Sequence, residues 1–198
     1  KIAAKRVCLG KFINCGQTCI APDYLFVHKE VKEEFINLLK ENIISFFGTE
    51  AYKSENYGRI INQRQFLRLK NLLSQGEIIF GGKHDEQNNY ISPTLIKPYE
   101  LNNSLMQDEI FGPILPILEF ENIESVIEYI NKRPRPLALY YFGNKNINII
   151  KRTTSGGACI NDAIMHIIPH SLPFGGIGQS GMGSYHGKKS FDTFSHYK

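Results

Sequence analysis

The chain has 198 residues, of which 42% are hydrophobic and 21% charged. That mixture supports one globular domain with a real core. The net charge of +4 is spread along the sequence with no basic stripe interleaved with aromatics, which argues against nucleic-acid binding.

Local pairs such as Arg133-Pro134-Arg135 and Lys188-Lys189 read as solvated loops. No run approaches the roughly 20 apolar residues of a membrane span, and the first residues hold no apolar stretch that could act as a signal peptide. The four cysteines, Cys8, Cys15, Cys19 and Cys159, form no disulfide framework of the small secreted kind. A reducing, cytoplasmic compartment is therefore expected. A start at Lys1 rather than Met suggests a piece of a longer polypeptide.

In chain order, residues 24–28 read as a short apolar strand. Residues 29–47 follow as a helix, with Val31, Phe35, Leu38, Leu39 and Ile43 on one face and Gly48 as its cap. A second helix is expected over 62–74, carrying Phe66, Leu69, Leu72 and Leu73. Gln75-Gly76 breaks it before a strand at 77–80. Residues 114–120 form a further strand, which Pro116 assigns to a sheet edge or a bend. A helix at 122–131 places Ile123, Val126, Ile127 and Ile130 on one side. A buried strand at 137–142, a short helix at 147–153 and a last core strand at 157–161 complete the pattern. Strands separated by helices predict an α/β fold with crossover units and a parallel sheet. Ligands of such sheets sit beyond the carboxyl ends of the strands, so the loops after Val27, Phe142 and Ile160 are expected site walls. Residues 174–198 are first Gly-rich, with Gly175, Gly176, Gly178, Gly181, Gly183 and Gly187, and then aromatic.

Cys19 stands in Asn14-Cys15-Gly16-Gln17-Thr18-Cys19-Ile20-Ala21-Pro22, between a Gly-Gln-Thr turn and a proline. A thiol there reads either as a buried structural group or as a nucleophile at a loop edge, where backbone N–H groups stabilise a thiolate. Cys15 is four residues away, and without a second Cys or His pair at suitable spacing the two make no zinc site. Cys8 and Cys159 lie in apolar contexts and are assigned to the core. Glu109 leads into Ile110-Phe111-Gly112-Pro113. It reads either as a solvated carboxylate or as one at the mouth of a buried turn, able to accept two hydrogen bonds from a ribose-like diol.

Gly176-Ile177-Gly178-Gln179-Ser180-Gly181 matches G-x-G-x-x-G only formally. Pro173 stands where a strand should, and helix breakers follow. A pocket-walling loop with Phe174 as its aromatic lining is expected instead. His166 and His170 are separated by Pro169, which disfavours a shared helical metal face. No metal site is expected. Asn161-Asp162 is a turn or capping pair, with a site-wall role as the alternative.

Taken together, residues 10–24, from Gly10-Lys11-Phe12 through Cys19 to Ala21-Pro22-Asp23-Tyr24, resemble the nucleophile segment of the aldehyde dehydrogenase superfamily. Ala-Pro-Asp-Tyr resembles its class 3, fatty-aldehyde branch. Glu109-Ile110-Phe111-Gly112-Pro113-Ile114-Leu115-Pro116 resembles the family's second cofactor-contacting motif. Pro136-Leu137-Ala138-Leu139-Tyr140, the His170–Gly176 run and residues 182–191 match as well, in the right order. The resemblance implies the three-layer α/β catalytic domain of that family over residues 1–198. A Gly-rich loop and an oligomerisation segment would close the chain, and the half that binds most of the nucleotide would be absent.

It implies that Cys19 is the nucleophile and that its backbone N–H forms half of an oxyanion hole. Glu109 would hold the nicotinamide-ribose hydroxyls of NAD or NADP, and Phe111 would pack beside the nicotinamide. Phe174, Ile167 and Ile168 would line the aldehyde tunnel. It further implies a homodimer or homotetramer, and in some relatives a hydrophobic tail beyond the last residue here. The family's general-base Glu, its second oxyanion donor (an Asn) and its nucleotide-binding Lys have no counterpart in these residues. The isolated chain is therefore expected not to turn over aldehyde. An inactive remnant that acts as a binding or assembly partner is the alternative function.

Overall fold

The computed structural model describes residues 1–144, 148–196 and 198, which form two compact units, Lys1–Glu121 and Asn122–Lys198. The first begins with helix α1, Ile2–Phe12, which sequence periodicity did not reveal. Its buried residues Ala4, Val7, Cys8 and Lys11 fall at three- and four-residue steps, with Gly10 and Phe12 beside them, but this face carries a lysine and a glycine while Ile2 and Leu9 are exposed, so no hydrophobic rhythm marks it. Strand β1, Leu25–His28, follows. The helix expected over 29–47 divides into a 3-10 turn, Lys29–Val31, and α2, Lys32–Phe47, with Gly48 at φ 76° ending it. The Cys8 thiol reaches the Leu39 carbonyl at 3.5 Å, where α1 packs on α2.

Helix α3, Gln63–Leu72, is capped by Asn62, whose side-chain oxygen accepts the Gln65 N–H at 3.0 Å, the usual satisfaction of a helix's orphan donors. Strand β2 is Gly76–Phe80. The hairpin β3, His84–Asp85, with β4, Tyr90–Ile91, precedes β5, Thr94–Pro98. The short helix α4, Ser104–Gln107, leads to strand β6, Ile114–Phe120.

The four-stranded sheet has the order β1-β6-β5-β2. β6 is parallel to both β1 and β5, as expected, but β2 runs antiparallel to β5. No crossover helix joins β2 to β5; the link is the hairpin excursion β3–β4, and such a return reverses the strand. The placement of Pro116 at an edge is also corrected. β6 lies inside the sheet, yet its first half, Ile114 to Pro116, pairs with β5, and its second half, from Ile117, pairs with β1. The proline stands at the hand-over between partners, where a missing N–H does least damage. Phe66, Leu69, Ile91, Ile96, Leu105, Ile110 and Ile114 form the core over this sheet.

In the second unit, helix α5, Ile123–Asn131, buries Val126, Ile127 and Ile130 as its periodicity predicts, and Asn122 caps it by accepting the Glu124 N–H at 3.0 Å. Strand β7, Ala138–Tyr141, pairs in parallel with β8, Gly157–Ile160. β7 is half-buried along its length rather than a fully buried strand. Between them lies α6, Asn148–Arg152; Ile147, the expected first residue of that helix, falls outside the described residues. The short helix α7, Gly187–Thr193, closes the unit. Among the described residues no helix is long and apolar enough to cross a membrane.

Candidate active site

The loops that carry Cys19 and Glu109 lead into β1 and β6. Those strands are neighbours and parallel, so their leading loops emerge side by side at the amino ends. The expectation of a site wall after Val27 is corrected on this point: in the first unit the chemistry-bearing loops precede their strands.

The path to Cys19 is fixed by backbone. After α1, Asn14 (φ 50°), Cys15 (φ 56°) and Gly16 (φ 73°) all take left-handed conformations, which cost energy in non-glycine residues and collect at functional sites. A Cβ on Gly16 would stand 2.2 Å from the Gly112 carbonyl oxygen, so glycine is required and the two loops touch backbone to backbone. Cys19 then occupies the turn closed by the Ala21 N–H to the Thr18 carbonyl at 3.0 Å, and its residue is exposed. The other thiols differ. Cys8 and Cys15 are buried, and burial pushes them up to about 12 and about 11 respectively. The Tyr57 side chain and the charges of Arg59 and Lys11 work against that rise at Cys15. The expectation that Cys159 is core is corrected: it is half-buried, with Sγ 3.5 Å from His166 Nδ1.

Glu109 is exposed at the head of the second loop. Shielding of its carboxyl by protein, and then the Asp23 charge, raise its pKa above the ordinary value, against Arg68 and Lys11. The loop itself is clamped. Asp23 Oδ1 accepts the Ile110 N–H at 2.9 Å, and the Arg68 guanidinium donates to the carbonyls of Glu109 and Ile110. Phe111 stands at φ 47° with 41% of its surface exposed. Behind it, Gly112 rests on Leu69, where a Cβ would come within 2.5 Å.

Beneath both loops lies Lys11, only 1% exposed. Burial lowers it to about 8, while the charges of Asp23 and Glu109 pull it back up. Lys11 and Asp23 stand inside the motif segment of residues 10–24 without a role of their own in the sequence, and Arg68 lies outside every motif. The available signal was Lys11 itself, flanked by Leu9, Gly10 and Phe12 in an otherwise apolar run.

The second unit holds the other candidates. Phe174 forms a two-way backbone bridge with Tyr185, at 3.0 and 2.9 Å. Its ring lies near those of His166, Tyr185 and His186, at 6.2, 6.0 and 6.5 Å. Ile167 ends a 3-10 turn, Met165–Ile167, entered through Ile164 at φ 59°, and Ile168 beyond it is 56% exposed. Asn161 binds both the N–H and the carbonyl of Gly143, at 2.9 and 3.0 Å, while Asp162 accepts the Ala163 N–H at 2.8 Å. They act as the turn-forming pair their residue types suggest.

The Gly176–Gly181 stretch contains a single 3-10 turn, Gly178–Ser180, and no helix, as a wall loop requires and a dinucleotide fingerprint does not. His166 is held toward its neutral form by burial, and the His170 ring packs on His186 at 5.2 Å. Among the described residues no group of three or more His, Cys, Asp or Glu is placed to hold a metal ion.

The sequence signature of the aldehyde dehydrogenase family matches residues 1–198. The chain is 47% identical to 4,4'-diaponeurosporen-aldehyde dehydrogenase of Staphylococcus aureus, over all of this chain and 44% of that protein. It is 49% identical to rat aldehyde dehydrogenase family 3 member A2, over all of this chain and 41% of that protein. A solved structure described as the substrate-bound state of Staphylococcus aureus AldH superposes with a TM-score of 0.95 at 46% identity, covering 99% of this chain and 44% of that one. The chain thus spans less than half the length of these relatives. The expected α/β fold of that family is the fold these structures share, and the chain belongs to the aldehyde dehydrogenase family.

Proposed function

We propose that residues 1–198 are the catalytic domain of an NAD- or NADP-dependent aldehyde dehydrogenase and act within a longer polypeptide. The observation that carries this reading is the pairing of the exposed thiol of Cys19 with the Glu109–Phe111 loop, through the Gly16–Gly112 backbone contact. The Cys19 thiolate adds to the aldehyde carbonyl carbon and forms a thiohemiacetal. The backbone N–H of Cys19 donates to the developing oxyanion, where a fixed donor is worth about 3 kcal/mol. A bound dinucleotide supplies the hydride acceptor. The resulting thioester on Cys19 is hydrolysed by water to the acid.

The residues present fit the nicotinamide end of such a cofactor. Glu109 offers an exposed carboxylate on a clamped loop, and Phe111 offers a partly exposed ring beside it. General-base and adenosine-binding groups come from outside these residues, so the isolated chain is inactive. The apolar side chains of Phe174, Ile167 and Ile168 suit a medium- or long-chain or aromatic aldehyde. Related bovine and rat enzymes are named dimeric and NADP-preferring, which supports a homodimer for the whole protein, with a homotetramer as the other family arrangement. The location we propose is cytoplasmic, a reading the four free thiols support.

The test is Cys19→Ser in the intact polypeptide. Its kcat for hexanal should fall by on the order of 10³-fold or more, and Cys15→Ser should retain turnover. Activity that survives in Cys19→Ser contradicts the assignment.

A further inference from the structure

Gln17 reaches from the nucleophile loop to a segment more than forty residues away. Its Oε1 accepts the Ile61 N–H at 2.9 Å, and its Nε2 donates to the Arg59 carbonyl at 3.0 Å. One side-chain amide thus engages both backbone groups as an added peptide unit would. The same Nε2 lies 3.2 Å from the Asn14 carbonyl, and Asn14 Nδ2 donates to the Gln17 carbonyl at 2.9 Å.

The far end of this strut is rigid. Arg59 donates to the carbonyls of Tyr52, Tyr57 and Gly58, at 2.8, 3.1 and 3.2 Å. Its guanidinium lies 4.9 and 5.0 Å from the ring centres of Tyr52 and Tyr90. Ile60 N–H bonds the Asn89 carbonyl at 2.9 Å. The turn bond from Ala21 to Thr18 fixes the local shape around Cys19 but not where that turn stands in the molecule.

The geometry points to Gln17 as a positioning residue for the reacting thiol: its amide sets the stand of the Thr18–Ala21 turn, and so where Cys19 Sγ meets the aldehyde carbon. The inference rests on the reading of Cys19 as the nucleophile. The cofactor loop has separate supports in Asp23, Arg68 and the Gly16–Gly112 contact, so loss of Gln17 acts on chemistry rather than on dinucleotide binding.

The experiment compares Gln17→Ala, Gln17→Glu and Cys19→Ser in the intact polypeptide. It measures kcat with hexanal, KM for the dinucleotide, and the rate of iodoacetamide alkylation of Cys19 against pH. Gln17→Ala should lose kcat by on the order of 100-fold, the scale set by a displacement of about 1 Å, with the dinucleotide KM unchanged and the alkylation profile altered. In Gln17→Glu an ionised carboxylate accepts from Ile61 but cannot donate to Arg59. Its activity relative to Gln17→Ala should therefore rise as pH falls toward about 5, where a carboxyl regains its proton.

Gln17→Ala with the parent's kcat and alkylation profile, beside an inactive Cys19→Ser, overturns the role of Gln17 alone. So does a loss in both Gln17 variants that tracks lowered thermal stability and carries no difference in pH dependence. Turnover in Cys19→Ser overturns the nucleophile reading, and this role with it.

Discussion

The Cys19–Glu109 region and the Phe174 region hold their side chains by different means. Around Cys19 the restraints are backbone restraints: three successive left-handed residues, a glycine pressed against a carbonyl, and main-chain groups clamped by Asp23 and Arg68. Around Phe174, rings of His166, Tyr185 and His186 surround one aromatic side chain, and the backbone beside it is pinned by the bridge to Tyr185 and by Gly175, where a Cβ would stand 2.0 Å from the Gly183 carbonyl oxygen. A bond-forming atom needs its position set within tenths of an ångström, which fixed backbone, tied down by side-chain amides and charges, delivers. The role proposed for Phe174 needs shape and apolar surface, which exchangeable rings supply.

The largest effect should come from breaking the first kind of restraint. Gly16→Ala forces a Cβ into the Gly112 carbonyl at positive φ. It should cost about 3 kcal/mol or more of stability, seen as a lowered urea midpoint, and should abolish turnover. Asp23→Ala comes next. It leaves the Ile110 N–H without its acceptor, a loss of about 2 kcal/mol, and should raise the dinucleotide KM before it affects aldehyde KM.

Lys11→Met tests the charge beneath the loops. A lysine lowered to about 8 in the fold, from 10.5 when free, binds its proton more weakly folded than unfolded. It therefore adds stability as pH rises, from about pH 8 upward, with a slope approaching about 1.4 kcal/mol per pH unit. Above about pH 9 the buried Cys8 and Cys15, whose pKa values are raised, begin to act the other way. Those cysteines are present in both proteins and cancel in the comparison, so stability of the parent relative to Lys11→Met should climb from about pH 8 toward about 10.5. A flat difference would remove Lys11 from the account. The smallest effect belongs to the second kind of restraint: Phe174→Leu should lower kcat/KM for hexanal by about 1 kcal/mol, roughly fivefold, with stability little changed.

Much of this was legible in the chain. The periods of α3 and α5 and the run of β6 announced themselves, because each has one apolar face or a continuous buried stretch. α1 did not, since its buried face carries Gly10 and Lys11 while Ile2 and Leu9 are exposed. β5 was missed because its five residues follow Pro93 and include Lys97 and Pro98. The direction of β2 depended on the absence of a crossover, which local pattern does not display. In the site, Cys19, Glu109 and Phe111 stood out through motif. Lys11 and Asp23 lay within the motif and Arg68 outside it, all without a visible role, because only the parallel pairing of β1 and β6 and the packing of α3 bring them under the same loops. Gln17 was visible as part of a turn, but its partners at Arg59 and Ile61 were not.

The central claim is that Cys19 is the atom that bonds the substrate carbon. The intact polypeptide would be mixed with hexanal and dinucleotide, quenched in acid during turnover and digested, and the cysteine-bearing peptides weighed, with fragmentation of the shared Cys15–Cys19 peptide to locate the modified residue. The account predicts a hexanoyl mass increment on the peptide that carries Cys19, lost in Cys19→Ser. An increment on the Cys159 peptide, or none on any cysteine while acid is being formed, would contradict it.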